Sequence, residues 1–223
     1  MKTVNIIIRV FVVMASLAAL VLLIFFGKGE GELIGSTVSV IISSIFIFLV
    51  TYLPKMLKRK KIIISNTLYS IILISFLLSM GGGFIFRFYI IFSYYDTTIH
   101  FLNGIAIVVI AFAVVKYLVK NSDNNLPAII FVAVLISIAI GPIWEIYEFL
   151  VDSLFDGSNM QRFKDVHTGT SFIGQAALRD TMIDLIVDTL GAIVGGLILY
   201  YDSFKNKTII NNIAFKKENN HIK

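Results

Sequence analysis

Apolar residues run almost unbroken over Val4–Phe26, Leu33–Leu53, Ile62–Met80, Thr98–Val119, Pro127–Leu150 and Asp180–Tyr201, and turn-forming or charged residues gather in the gaps between them. A helix needs about 20 apolar residues to cross the hydrocarbon core, and each run approaches or exceeds that length. The pattern predicts an all-α, polytopic transmembrane bundle of about six helices, forming a single membrane domain over 1–223 that ends in a basic tail, 202–223. The first run follows Lys2 and Arg9 but is long, and Phe25-Phe26-Gly27-Lys28 lacks a small-residue cleavage pattern, so it reads as a retained helix and not a signal peptide. Pro127 suits a first helical turn. The run Gly81-Gly82-Gly83 is expected to end the third helix, and the aromatic stretch Phe84–Tyr95 reads as an interfacial segment.

Composition supports this pattern. Of 223 residues 57% are hydrophobic and 15% charged, with a mean hydropathy of +0.89, which is too apolar for an ordinary soluble domain. With 0 Cys there is no disulfide framework, thiolate metal site or cysteine nucleophile. The net charge of +5 resolves once the helices alternate in direction. With the amino terminus inside, the inner segments hold Lys2, Arg9, Lys55, Lys58, Arg59, Lys60, Lys61, Lys116, Lys120, Lys205, Lys207, Lys216, Lys217 and Lys223 against only Asp123, Asp202 and Glu218, a net +11. The outer side then holds 5 basic residues against 11 acids, a net −6. Basic residues are retained on the cytoplasmic side of short loops, so both termini are expected in the cytoplasm, and the charge is an orientation signal and not a nucleic-acid surface.

The acids concentrate on three helices. Asp96 and His100 open the fourth, with Asn103 on the same side; Glu145, Glu148 and Asp152 close the fifth; Asp180, Asp184 and Asp188 open the sixth, followed by Gly191 and Gly195. Spacings of three and four residues keep each set on one helical face. The alternating topology brings all three sets to the outer half of the bilayer, where ionisable groups need partners. Asp96, Asp152 and Asp180 lie close enough to helix ends to reach the interface by themselves, whereas Glu145, Asp184 and Asp188 lie deeper. Clustered carboxylates must share protons, pair with cations or bind metal. Arg179 and Arg87 cannot neutralise them all, so a divalent metal ion is the expected cofactor. His100, Glu145, Glu148 and Asp184 are the expected ligands, a His and carboxylate set suited to Zn²⁺, Mn²⁺ or Fe. Asp188 would orient a ligand or act as base, Arg179 would hold an anionic head group, and Asp96, Asp152 and Asp180 would support the site. The loop Asp156–Leu178, with Arg162, Lys164 and His167, would cap it as a lid. Gly191 and Gly195 form a G-x-x-x-G helix contact, and no G-x-S-x-G, Walker or dinucleotide fingerprint occurs.

Asp96-Thr97-Thr98-Ile99-His100-Phe101, Trp144-Glu145-Ile146-Tyr147-Glu148 and the Asp180, Asp184, Asp188, Gly191 series together resemble the VanZ-like group of bacterial membrane proteins, and more closely its YjdF-type relatives. The likeness covers Asp96 to Gly196. Thr97, Glu148 and Asp188 stand where the VanZ pattern has Lys, Gln and Asn, which favours the YjdF-type branch. The resemblance implies a bacterial cytoplasmic membrane protein and no settled activity. From the residues, the expected function is a metal-dependent enzyme acting on an anionic lipid or cell-envelope precursor at the outer leaflet. A cation or proton transporter, or a purely structural acid network, is the alternative.

Overall fold

The computed structural model describes residues 1–27, 31–155, 158–165 and 168–218. It is an all-α bundle with six helices long and apolar enough to cross a membrane. The helices are α1 (Lys2–Phe26), α2 (Gly31–Arg59), α3 (Asn66–Phe76), the short α4 (Phe88–Ile91), α5 (Tyr95–Leu118), α6 (Leu126–Leu154) and α7 (Gln175–Phe204), followed by the short α8 (Thr208–Asn212). Two three-residue strands, β1 (Ile62–Ile64) and β2 (Phe215–Lys217), pair antiparallel with Ile64 opposite Phe215.

Three boundaries differ from the sequence expectation, each for a local reason. Ile62–Ile64 is a strand, not a helix start, because Ser65 caps α3 by accepting a hydrogen bond from Leu68 N. The strand's partner is the carboxy-terminal segment, so the expected basic tail is folded back onto the bundle as far as Glu218. Ser65 N donates to Ala214 O, and the buried Asp202 carboxylate accepts from Ile210 N. The three glycines do not stop α3 either. The chain continues as a π-helix over Leu77–Ile85, with Gly81, Gly82 and Gly83 all buried. π-Helical turns are rare and gather at functional sites.

α5, α6 and α7 pack on one another as the centre of the bundle. Away from the acids this centre is apolar: Val108, Phe112, Ala133 and Leu199 are buried together with Leu68 of α3 and Ile210 of α8. α1 lies at the periphery. Its buried residues are Asn5, Val12 and Ala19, seven apart, which is one narrow stripe on an otherwise exposed helix. Arg9 on that helix is satisfied against α2, where its guanidinium lies 3.6 Å over the Tyr52 ring and donates to Thr51 Oγ1 and Thr51 O.

Candidate functional site

The start of α5, the end of α6 and the first half of α7 meet at one end of the bundle. Each contributes buried ionisable residues: Asp96 and His100 from α5, Glu145 and Glu148 from α6, Asp184 and Asp188 from α7. The helix contact that brings them to one level is a backbone approach, with Gly191 of α7 against Phe101 and Gly104 of α5, and Gly104 against Asp188 and Ala192. Gly141 of α6 lies against the Asp188 carboxylate.

His100 stands at the centre. Its Nδ1 faces Asp188 Oδ2 at 3.2 Å, the arrangement in which a neutral imidazole would carry its proton on Nδ1 and leave Nε2 free to bind a metal. Nε2 lies 3.7 Å from Asp96 Oδ1, too long for a hydrogen bond. Asp96, His100 and Asp184 each offer a donor atom such that all three lie within 4.8 Å of one another. Metal bonds of about 2.0–2.2 Å put donors on one ion no more than roughly 4.4 Å apart, so a closure of a few tenths of an ångström would let this trio grip a divalent cation. A carboxylate behind the far nitrogen of a ligating histidine is the usual second layer of such sites, and Asp188 occupies it.

The expected residues distribute around this trio. His100 and Asp184 belong to it, and Asp96, expected only as support, is its third member. Glu145 and Glu148 lie outside the close trio. Glu148 Oε1 accepts from Trp144 Nε1 at 2.8 Å. Glu145 is 5% exposed, and neither carboxylate oxygen has a hydrogen-bond partner, although Thr181 and Gln161 lie beside it. Asp184, 2% exposed, leaves Oδ2 unpartnered as well. Buried carboxylate oxygens without partners cost free energy and ask for a cation or a proton.

The cation that reaches the cluster is Arg162 from the α6–α7 loop, not Arg179. Arg162 Nε lies 3.5 Å from Asp96 Oδ2 and 3.8 Å from Asp180 Oδ1, and its guanidinium donates to Tyr89 O and Ser93 O. Arg179 is exposed and makes no ion pair among the described residues. His167 of the expected lid lies outside the described residues. Asp152 proves to be the loop's anchor: one oxygen accepts from Ser158 Oγ at 2.6 Å and Met160 N at 2.8 Å, the other from Gln161 N at 2.9 Å. Asp152→Ala is therefore expected to free the loop, costing roughly 1–3 kcal/mol for hydrogen bonds to a charged acceptor. Limited proteolysis between α6 and α7 checks this, and cleavage as slow as in the parent would contradict the anchoring role.

Two contributors have no motif in the sequence. Tyr89 on α4 comes to lie against the π-helix at Gly83, and burial with the nearby Asp96 and Glu148 carboxylates pushes its phenol well above its usual range, so it is a neutral hydroxyl. Ser79 of the π-helix accepts from Asn103 Nδ2 at 2.9 Å, tying that segment to α5 just below His100. The glycine run was the available signal for Tyr89, since only a chain without side chains there admits its ring.

The model of the family described as "Predicted membrane protein (DUF2238)" matches residues 9–204. A Thermotoga maritima protein described as uncharacterized is 29% identical over 145 residues, which cover 64% of this chain and 62% of that protein, so the matched stretch falls short of two thirds of the relative. No solved structure matches the chain.

Proposed function

Because the chain belongs to this DUF2238 family of predicted membrane proteins, we propose that the helix cluster is a divalent-metal site of a membrane-embedded enzyme acting on a lipid or cell-envelope precursor. The observation that carries the reading is the convergence of Asp96, His100 and Asp184 donors, all buried, with Asp188 behind His100. Three protein ligands leave coordination positions for water and substrate, and a bound divalent ion would supply Lewis acidity there. Glu145, buried and unpartnered, is the group left to accept a proton beside them, and Arg162 takes the anion-holding role first given to Arg179. The resemblance of Asp96–Gly196 to the VanZ-like, YjdF-type proteins is consistent with a bacterial cytoplasmic membrane location.

A transport path fits less well. Val108, Phe112, Ala133 and Leu199, all buried and apolar, fill the centre of the bundle where α5, α6 and α7 pack, an unfavourable lining for a cation or proton route. Elemental analysis of protein purified in neutral detergent is expected to find one divalent ion per chain that a strong chelator removes. A parent free of metal at saturating Zn²⁺, Mn²⁺ and Fe²⁺ would sink the proposal. The orientation with both termini inside has a separate check. The chain contains no cysteine and Ile173 is 89% exposed, so Ile173→Cys should react with an impermeant maleimide added outside intact cells. Labelling only after the membrane is opened would reverse the topology.

A further inference from the structure

Two chambers of different chemistry open beside the histidine–carboxylate trio: Asp96 lines one and His100 the other. One, about 170 Å³, has Asp96, Glu148, Arg87, Arg162 and Asn159 among its lining residues. The other, about 270 Å³, begins at His100 and Asp188 and runs between Met80, Ile107, Ile110 and Ile140. Tyr89 borders both. The ten residue steps of α5 from His100 to Ile110 rise about 15 Å, half of a hydrocarbon core roughly 30 Å thick. The apolar chamber thus extends from the trio by about the depth of one leaflet. Ile140, which lines it, is 37% exposed, so the chamber wall reaches the surface of the bundle there and offers a chain a sideways entrance.

A soluble anion would need only the polar chamber, and a neutral lipid chain only the apolar one. A group at the junction has both. We propose that the substrate is a lipid carrying a phosphate head: its chain lies in the Ile107–Ile110–Ile140 chamber, its phosphate lies under Arg162 and Arg87, and the bond joining the two lies at His100, Asp96 and Asp184. This deepens the metal-site reading and rests on it for the chemistry, though not for the binding. Arg87, which makes no ion pair among the described residues, and Arg162, shared with Asp96 and Asp180, are the cations on the head-group side, and the apolar lining removes the chain from water or from looser lipid packing. The π-helix serves the arrangement by admitting Tyr89 as the wall between head and chain.

The test is displacement of a fluorescent dodecyl phosphate from full-length protein in neutral detergent, with metal content measured on the same samples. Dodecyl phosphate is expected to compete at least tenfold more strongly than either inorganic phosphate or dodecanol. Ile107→Trp and, independently, Ile140→Trp should weaken dodecyl phosphate at least tenfold while leaving inorganic phosphate unchanged. Arg162→Gln and Arg87→Gln should weaken both phosphates and leave dodecanol unchanged. Equal competition by inorganic phosphate would make this a soluble-anion site and overturn the proposal, as would equal competition by dodecanol or indifference to both tryptophans. Metal retained with no such selectivity defeats the lipid assignment alone. Selectivity in a protein that binds no metal supports the chambers and defeats only the metal reading.

Discussion

Gly191→Leu is expected to yield protein that no longer assembles its central helices. A Cβ at Gly191 would fall on the Phe101 carbonyl oxygen and within 3.2 Å of Gly104 Cα, and one at Gly104 would meet Asp188 O at 2.5 Å and Ala192 N at 3.0 Å. The obstacles are backbone atoms of the facing helix, so no rotamer change can relieve them, and α5 and α7 must separate along their length. Overpacking against side chains costs about 1–3 kcal/mol. Against backbone the loss should reach the range beyond about 4 kcal/mol that few single changes attain. Separation of α5 from α7 also pulls His100 away from Asp188, because that contact bridges the same two helices. Thermal unfolding and monodispersity in detergent give the readout, with Gly191→Ala as a milder member of the series. A Gly191→Leu protein that melts with the parent would show that the close approach does not hold the bundle together.

Asp184→Ala is expected to cut divalent-metal binding at the proposed site sharply while the protein stays folded. Asp184 supplies one of the three converging donors, and the two that remain would hold an ion far more weakly. Deleting it also removes a buried carboxylate oxygen that has no partner, so stability should hold or rise. Asp188→Asn should act more gently. It keeps the shape but loses the carboxylate facing His100 Nδ1, and outer-layer changes of this kind cost about 10–100-fold in metal affinity. Asp123→Ala, at an exposed ion pair with Lys116 far from the cluster in sequence, serves as the control with unchanged metal content. Isothermal titration of the metal-stripped proteins measures the series. Affinities in Asp184→Ala equal to the parent's would place any metal elsewhere.

Much of the candidate site was legible because helical periodicity and charge asymmetry are local properties. The spacing Asp96–His100, Glu145–Glu148 and Asp184–Asp188 puts each pair on one face whatever its neighbours do. What could not be read was which members of three faces touch. Asp96 looked like an interface residue one turn from a helix end, yet it is buried because the α6–α7 loop lies over it and brings Arg162 to its side. Arg179 looked well placed beside Asp180, but its position on α7 turns it outward. Asp152 differs again: its partners are backbone N–H groups of a loop eight and nine residues on, a role no spacing rule announces.

The amino-acid sequence by itself determined that this is a bundle of membrane-spanning helices and that its acids lie at one end, because hydropathy and the alternation of basic loops depend on transfer to lipid and not on packing. Only the tertiary structure decided that His100 is oriented by Asp188, that Asp96 and Asp184 complete the trio, and that a π-helix brings Tyr89 to the junction of two chambers. Those outcomes turn on separations of a few ångströms between helices, set by glycine contacts far apart in the chain.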